Sequence, residues 1–362
     1  MKKRVTIVGA GLSGLTAAIT LARQDWEVEV IERRDGIGGP ARDMETGEKT
    51  YVMVDGTPME LEKLCSYLGF DISPATRPMN RTTIYCFGKR YDVVFPRNVP
   101  AVLVERGMRK DSLDMLLYGL AKEAGVKFTF NTPVKTRSEF EQLPENTILA
   151  TGLFRDTYEA IGIPYVQAYG HIAFGTMENY GGPPVVIYMD RYTWDYAFFS
   201  TINGMGGALI FQRGKPLTRE AKQWFRFRLA HDEGIEFLEW FDLDVGVLPM
   251  GSPDNPRLFH DRFILTGTLA GMQDPVLLFG VHGALVSGKI AALALTDRES
   301  ALKQFKRMNA LWRLSYYNRK FIEATHPWGL HYLGRLGLDL QPYYDWWLLR
   351  YAFALIPGWL RV

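Results

Sequence analysis

The sequence predicts an α/β fold: a Rossmann-like domain assembled from separate segments, with an inserted, mostly antiparallel sheet and a helical C-terminal region. Three observations support this prediction. A strand, a glycine-rich turn, a helix and a second strand follow one another near the start of the chain. Short strands separated by Gly, Pro and Asn lie between about residues 170 and 213. From about residue 300 the pattern is helical and rich in Trp and Tyr.

Each element has its own pattern. Residues 4–8 are a short β-branched run that predicts a buried strand, residues 15–23 a helix and residues 28–32 a second strand. Helical spacing and strand alternation then predict helices over residues 61–68 and 111–124, a hairpin over 82–94, and strands over 126–130 and 147–150. After the antiparallel sheet we expect a helix over 220–233, a strand over 263–266 and a long helix over 277–295.

Composition excludes several classes of protein. The 362 residues are 47% hydrophobic and 23% charged, as in a globular chain that buries a core. Because the net charge is only +2, with Lys and Arg scattered, we expect no nucleic-acid partner. Cys65 and Cys86 indicate no disulfide scaffold, and the histidines form no HxxxH or HExxH pair, so we expect no metal site. No apolar run is long enough to span a bilayer, and we expect a cytoplasmic protein.

The turn after the first strand reads Gly9-Ala10-Gly11-Leu12-Ser13-Gly14. Gly9 allows a tight turn, Gly11 leaves the backbone open to a pyrophosphate, and Gly14 lets the helix pack closely on the sheet. The helix N-terminus then presents free N–H groups to the phosphates. Glu32, at the end of the second strand, is placed to accept hydrogen bonds from ribose hydroxyls. The unit predicts a dinucleotide site; the alternative is a glycine-rich turn of an unrelated α/β fold.

The segment after Glu32 distinguishes between cofactors. Arg33 and a glycine-rich turn that ends at Gly39 follow the acidic residue, an order that resembles the large glutathione-reductase-like FAD family. Within it, the chain resembles the superfamily of geranylgeranyl reductase and p-hydroxybenzoate hydroxylase, over roughly residues 1–300. This resemblance implies a glutathione-reductase-type FAD-binding domain, FAD as the cofactor and an FAD-dependent oxidoreductase.

Four further stretches carry the resemblance. Arg109 corresponds to an arginine before a helix that faces the cofactor, and residues 148–152 resemble the ATG turn near the adenosine half. Residues 192–199 resemble an aromatic stretch that lines the substrate cavity, and residues 267–275 resemble the GDAAGxxDP segment. The implied cofactor-binding residues are Gly9, Gly11, Ser13, Gly14, Glu32, Arg33, Gly39, Arg109, Thr151, Gly152, Thr268, Asp274 and Gly280.

The last of these stretches has a physical role. Asp274-Pro275 forces a turn, and we expect the next helix to aim its N-terminus at the pyrimidine edge of the flavin. Its dipole and free N–H groups would stabilise negative charge on the reduced flavin. His282 near this end either adds to that effect or only packs and caps, and both interpretations stay open.

The chain also departs from the family pattern. Thr268 stands where the family has an aspartate that binds the ribityl chain, so a hydroxyl replaces a charge. Residues 151–155 lack the DG motif that the hydroxylases link to flavin and NADPH, and residues 38–42 lack a reductase cysteine. The departures weaken the NADPH-driven hydroxylase interpretation more than the reductase one.

Aromatic residues suggest where a substrate binds. Trp194, Tyr196 and Phe198 share one strand parity and are candidates for an aromatic wall over the isoalloxazine. The alternative is that these rings are ordinary core. Residues 343–361 combine Trp, Tyr and Arg, which indicates either an interfacial helix at a membrane surface or a helix docked on the protein's own core or a dimer mate.

We expect residues 1–75, 101–165 and 250–300 to form the FAD-binding domain, residues 76–100 and 166–249 the substrate-binding domain, and residues 301–362 the helical C-terminal region. No side chain is identified as a catalytic acid or base, since the flavin would supply the chemistry. The predicted activity is reduction of carbon–carbon double bonds in an isoprenoid or other lipid, with NAD(P)H or a redox protein as electron donor. The alternatives are a monooxygenase that hydroxylates an aromatic or lipid substrate, and a non-catalytic flavin-binding partner protein.

Overall fold

A computed structural model describes residues 3–38, 52–95, 101–177, 179–247 and 255–341. Within these residues the strands are β1 (Arg4–Val8), β2 (Glu27–Ile31), β3 (Val52–Pro58), β4 (Thr76–Pro78), β5 (Arg81–Cys86), β6 (Lys89–Val94), β7 (Ala101–Gly107), β8 (Lys127–Thr129), β9 (Thr147–Leu149), β10 (Val166–Thr176), β11 (Val185–Met189), β12 (Ala197–Ile202), β13 (Met205–Arg213), β14 (Phe241–Val247), β15 (Phe259–His260) and β16 (Phe263–Leu265). The α-helices are α1 (Leu12–Ala22), α2 (Leu61–Leu68), α3 (Leu113–Glu123), α4 (Arg137–Glu141), α5 (Arg155–Ala160), α6 (Arg219–Glu233), α7 (Val281–Ala294), α8 (Arg298–Thr325) and α9 (Gly329–Leu340).

The first sheet is the Rossmann-like one, in the order β15-β16-β9-β1-β2-β8, with parallel pairs except at β15–β16. Its central strand β1 is apolar and buried at consecutive positions, as expected for a parallel strand covered on both faces. Helices α1 and α7 pack on each other because α7 presents Gly288, whose missing Cβ leaves room for the Ser13 carbonyl and Thr16 of α1. The N-terminal glycine-rich turn is thereby fixed between a buried strand and two helices.

The second sheet runs in the order β14-β10-β13-β12-β11-β5-β6 and is antiparallel except for the β11–β5 pair. One of its faces packs against α6, where Phe225 and Leu229 meet Val186, Tyr188 and other apolar residues of the strands. A small antiparallel sheet, β3-β7-β4, is the third. The predicted α/β class, with a mostly antiparallel sheet inserted into the Rossmann-like domain and a helical C-terminal region, is confirmed.

Several predicted bounds need correction. The helix predicted from residue 15 begins at Leu12, and the helix predicted from residue 277 begins at Val281. The second difference has a local cause: Asp274 accepts hydrogen bonds from the N–H groups of Val276 and Leu277, and Leu278 has a φ of 63°. Because of this tight turn, helix α7 begins four residues later than predicted. The predicted division into domains stays a prediction.

The C-terminal region consists of α8 and α9 in the part of the chain that the structure describes. Helix α8 packs on α7, and α9 packs on α8. No helix in the described ranges is both long enough and apolar enough to cross a bilayer. The predicted interfacial segment, residues 343–361, lies outside the described residues.

Candidate active site

A cavity of about 1650 Å³ is lined by residues from both large sheets and from α7, α8 and α9. Cavities that bind one small ligand usually measure about 300–1,000 Å³, so this one has room for a large cofactor together with a substrate. Two chemically different regions line it: polar and charged side chains around the Rossmann-like turn, and mostly apolar side chains from the second sheet and the C-terminal helices. Asp242 and Asp244 of the edge strand β14 are the acidic residues of the second region.

The glycine-rich turn forms one part of the wall. Gly9 has a φ of +105°, and a Cβ there would lie 2.5 Å from the carbonyl oxygen of Ala150. Gly14 packs against the Gly9 carbonyl instead of lining the cavity. An added Cβ at Gly11 would meet no described atom within 4 Å, and Gly11 is the N-cap of α1 without a capping side chain. The backbone N–H groups that open α1 are therefore accessible to an anion.

Glu32 and the loop after β9 lie beside this turn. The Glu32 carboxylate accepts hydrogen bonds from the N–H groups of Ala10 and Arg34, at 2.8 and 3.0 Å. Ser13, Thr151 and Gly152 line the cavity. The Thr151 hydroxyl is buried and has no hydrogen-bond partner among the described residues. A bound ligand that donates or accepts a hydrogen bond would satisfy it.

Two arginines give this region a positive charge. Arg33 and Arg34 both line the cavity, and the Arg33 guanidinium lies 3.8 Å from the ring centroid of Phe154. Burial, together with the neighbouring Arg33, lowers the pKa of Arg34 to about 10, and burial also lowers the pKa of Arg33. Partly desolvated cations favour an anionic ligand. The sequence identified Arg33 but missed Arg34 and Phe154. The ATG turn predicted the position of residues 148–152, but its pattern does not show that Phe154 packs against Arg33.

The cavity lining includes a different arginine from the predicted Arg109, whose contact with the cofactor stays a prediction. Arg109 is not among the described residues that line the cavity; it pairs with Glu105 and donates to the Asn203 carbonyl. Arg106 lines the cavity instead, held by a bidentate ion pair with the buried Asp114 of α3 at 2.7 and 3.0 Å. Arg106 is still on β7, whereas Arg109 follows the strand and turns toward the β12–β13 connection.

The start of α7 forms the next part of the wall. Thr268 and Gly280 line the cavity, and Gly280 is the N-cap of α7 with no capping side chain and no acid in the first turn. A second accessible helix N-terminus therefore faces the same cavity as that of α1. Asp274 is buried behind the wall, where it shapes the turn through backbone N–H groups. It is not one of the described lining residues.

His282 does not lie at the cavity in the described structure. It is buried within the first turn of α7, and burial lowers its pKa to about 4. Burial therefore favours the neutral ring, and a contribution of His282 at the flavin edge stays a prediction. The N-terminus of α7 is the element that lines the cavity there.

The second sheet supplies an apolar wall. Alternate residues of its strands face the cavity, as the two-residue period requires. They include Ile84, Ile172, Phe174, Val185, Ile187, Met189, Phe198 and Leu209. Tyr196 also lines the cavity, and its hydroxyl donates to the carbonyl of Leu277 in the turn before α7.

The contact of Trp194 with a substrate stays a prediction. Trp194 precedes β12, which begins at Ala197. Its indole N–H donates to the Arg213 carbonyl, and Trp194 is absent from the described cavity lining. Side chains of α8 and α9 that the sequence did not identify complete the wall: Asn318, Phe321, Ile322, Leu330, Leu333 and Leu338.

These features fit FAD. Two accessible helix N-termini, a carboxylate at the end of β2, four cavity-lining arginines and an unpartnered Thr151 hydroxyl are donors and acceptors suited to a dinucleotide with an aromatic ring system. Gly39 lies outside the described residues, so its predicted contact stays a prediction.

Comparisons with known proteins agree with this fold. Residues 7–59 match the NAD(P)-binding Rossmann-like domain family. A geranylgeranyl bacteriochlorophyll reductase-like protein from Thermoplasma acidophilum superposes with a TM-score of 0.65 at 16% identity, covering 88% of each chain. A probable FAD-dependent monooxygenase from Pseudomonas aeruginosa superposes with a TM-score of 0.61 at 15% identity, covering 92% of this chain and 99% of that one.

Among curated proteins, an L-amino-acid oxidase from Bungarus fasciatus is 31% identical over 137 residues, or 38% of this chain. The chain spans 22% or less of the length of the curated relatives it matches. The resemblance to the superfamily of geranylgeranyl reductase and p-hydroxybenzoate hydroxylase is confirmed at the level of the fold, which is that of FAD-dependent oxidoreductases.

Proposed function

We propose that the chain is an FAD-dependent oxidoreductase that reduces carbon–carbon double bonds of an isoprenoid or another lipid. The ADP half of FAD would lie at the glycine-rich turn, with its pyrophosphate at the N-terminus of α1 and its ribose at Glu32. The isoalloxazine would lie near the N-terminus of α7, beside Thr268. FAD, when bound, supplies two-electron transfer to the substrate.

The protein's own groups bind, orient and exclude water. The N-terminus of α7 offers N–H groups where negative charge develops. Tyr196 holds a proton at its hydroxyl oxygen on the cavity wall and, through the Leu277 carbonyl, fixes the turn that precedes this N-terminus. Ile187, Phe198 and their neighbours exclude water from the other side of the site.

The observation that carries the substrate class is the apolar wall of the second sheet. Its cavity face presents aliphatic and aromatic side chains on five adjacent strands, and the C-terminal helices add more. An anionic or strongly polar substrate would find few partners there, whereas a hydrocarbon chain would bury apolar surface. The geranylgeranyl reductase-like structure among the comparisons supports the same choice.

A monooxygenase acting on an aromatic or lipid substrate is the second candidate. It is supported by the structural likeness to a probable FAD-dependent monooxygenase, which spans almost the whole of both chains. The two candidates share the cofactor and the apolar wall and differ in electron donor and in oxygen use.

The test is to mix the purified protein with NADH or NADPH under anaerobic conditions and to record the flavin absorbance over time. For the reductase we expect a yellow protein that stays oxidised and bleaches with dithionite, because its donor is a redox protein or its reduction waits for substrate. Bleaching within seconds, followed on readmission of air by oxygen uptake that depends on an aromatic or lipid substrate, would support the monooxygenase. A colourless protein that takes up no added FAD would contradict both and leave the non-catalytic interpretation.

A further inference from the structure

Helices α8 and α9 expose an unusual amount of apolar surface. Phe321 is 72% exposed, Leu336 55%, Tyr317 54% and Leu333 51%. Single exposed apolar residues are common, but a group on two consecutive helices indicates an interaction site. We define the α8–α9 surface as Leu314, Tyr317, Phe321, Tyr332, Leu333, Leu336 and Leu340, all of which are more than 40% exposed.

The spacing places these residues on one face of each helix. In α8, Leu314, Tyr317 and Phe321 fall within about 60° of arc around the helix axis. In α9 the four residues of the surface fall within about 100°. Each helix therefore has two apolar faces: one that packs against the rest of the protein and one that is exposed to solvent.

The surface is continuous with the cavity. Phe321 and Leu333, one from each helix, are both largely exposed and both part of the cavity lining. The apolar wall of the cavity therefore reaches the outside at the join between α8 and α9. A lipid substrate could pass along it without crossing water.

The charge around this surface indicates which kind of partner binds to it. Besides the buried and ion-paired Arg319, helix α8 carries six Lys or Arg residues against two Glu residues. Lys303 and Arg307 share the face of Leu314 and Phe321, and Arg313 and Lys320 flank it; all four are exposed. A symmetric contact with a second copy would bring this basic helix against itself. An anionic bilayer instead satisfies both the apolar residues and the cations.

We propose that the α8–α9 surface docks on the surface of an anionic phospholipid bilayer, so that the cavity opens toward the lipid. The docking itself needs only the described surface; the passage of substrate from bilayer to cavity rests on the proposed function.

The test is co-sedimentation of the full-length protein with vesicles of phosphatidylcholine alone and of equal parts phosphatidylcholine and phosphatidylglycerol. We expect binding to the anionic vesicles that weakens as salt is raised. The variant Leu314→Glu/Leu336→Glu, whose positions are not part of the described cavity lining, should bind at least about tenfold more weakly. The control Phe227→Glu/Leu238→Glu, at 63% and 102% exposed apolar positions away from these helices, should bind like the parent protein.

Circular dichroism and thermal melting first establish that both variants are folded. The proposal is overturned if the parent protein does not sediment, if it binds neutral and anionic vesicles equally, or if both variants bind alike. It is also overturned if Trp346→Ala/Trp347→Ala abolishes binding while the leucine variant does not. A dimer in analytical ultracentrifugation that the leucine variant disrupts, without vesicle binding, would assign the surface to a second copy.

The visible flavin spectrum distinguishes a failure of the docking proposal from a failure of the proposed function. A yellow protein that fails to bind vesicles removes only the docking. A colourless protein that binds them removes only the redox function.

Discussion

Gly9 and Gly11 are two residues apart, yet their missing side chains serve different purposes. Gly9 adopts a left-handed φ, and any Cβ there would collide with the Ala150 carbonyl of the neighbouring strand's loop. Gly11 has a φ of −79°, which any residue adopts, and an added Cβ would meet open space. The protein needs glycine at position 9 for its own packing, whereas only a ligand needs it at position 11.

The two alanine variants should therefore behave differently. Gly11→Ala should retain a free energy of unfolding within about 1 kcal/mol of the parent apoprotein but lose at least about tenfold in FAD affinity, because the methyl group would occupy the space proposed for the pyrophosphate. Gly9→Ala should lose about 2 kcal/mol or more of stability without any ligand present. Urea unfolding of the apoproteins and fluorescence titration with FAD measure both quantities. Equal FAD affinity for Gly11→Ala and the parent would contradict the pyrophosphate site.

Asp274 and His282 are buried titratable groups on either side of the α7 N-terminus, and their pKa values move in opposite directions. Burial raises the pKa of Asp274 to about 6 and lowers that of His282 to about 4. Below about pH 4 the Asp274 carboxyl is protonated in the folded and in the unfolded protein, and its contribution to the free energy of unfolding is then at its maximum. This contribution falls as the pH rises to about 6, because only the unfolded protein releases the proton over that range. The contribution of His282 rises over pH 4 to 6.5, because only the unfolded protein takes up the proton in this range.

In the parent protein these two effects offset each other, and single variants should separate them. The stability of the parent relative to Asp274→Asn should fall by about 3 kcal/mol between pH 4 and pH 7. Relative to His282→Gln it should rise by about the same amount over the same range. Urea unfolding of the three proteins at both pH values measures the differences. If the stability difference between the parent and each variant were the same at pH 4 and pH 7, the shifted pKa values of Asp274 and His282 would be contradicted.

At the scale of elements, one buried ion-pair network ties α8 to the second sheet and to the turn before α7. Arg319 of α8 donates to Asp195 at 2.8 Å and to the Val276 carbonyl at 2.7 Å. Asp195 also pairs with Arg213 of β13, and Glu323 pairs with both arginines. The carbonyl of Asp195 contacts the His331 ring of α9. Because Val276 lines the cavity, a residue of the C-terminal region helps to hold the cavity wall.

Removing the Arg319 guanidinium should therefore affect stability and the cofactor site together. Arg319→Met leaves the Val276 carbonyl without this donor and should cost about 3 kcal/mol of the free energy of unfolding. Arg319→Lys should recover only part of it, since one ammonium cannot reproduce a planar set of donors. Lys306→Met, at an exposed position of the same helix, is the control and should stay within about 0.5 kcal/mol of the parent. A matching loss in both methionine variants would contradict this role of the network.

The elements that the sequence predicted well have short-range signals. The β5–β6 hairpin follows from strand alternation around a Phe87-Gly88 turn in which both residues have positive φ. The strands missed are β3, β4, β7, β14 and β15. The first four pair with strands that are not their neighbours along the chain, and local alternation does not reveal such pairing. The parallel β11–β5 contact joins segments about 100 residues apart for the same reason. Strand β15 pairs with the neighbouring β16 but has only two residues, too few for alternation to show.

The site divides in the same way. Gly9, Gly11 and Glu32 belong to one compact βαβ unit whose spacing determines its geometry, and all three lie at the cavity. Arg106, Phe154 and the residues of α8 and α9 reach it only through tertiary packing. The resemblance indicated Arg109 and not Arg106, because a motif gives the order of residues but not the direction in which each side chain points.

At the scale of the whole molecule, the cavity is the place where the two large sheets and the C-terminal helices meet. A ligand that fills it contacts the Rossmann-like turn, the start of α7 and the apolar sheet face at once. Binding free energy then adds to the stability of the entire assembly, not of one domain, because each wall is completed by a different part of the chain.

FAD should therefore stabilise the protein as one cooperative unit. At a free FAD concentration 100 times the Kd, the free energy of unfolding should increase by about 2.7 kcal/mol. Thermal scans at increasing FAD concentration should show a single transition whose midpoint rises, with near-ultraviolet circular dichroism and flavin fluorescence changing together. Gly11→Ala should show no such rise at the same concentrations, since its weakened site stays mostly empty. A midpoint that rises in only one of two separate transitions would show that FAD contacts the Rossmann-like unit alone and that the second sheet does not help to enclose it.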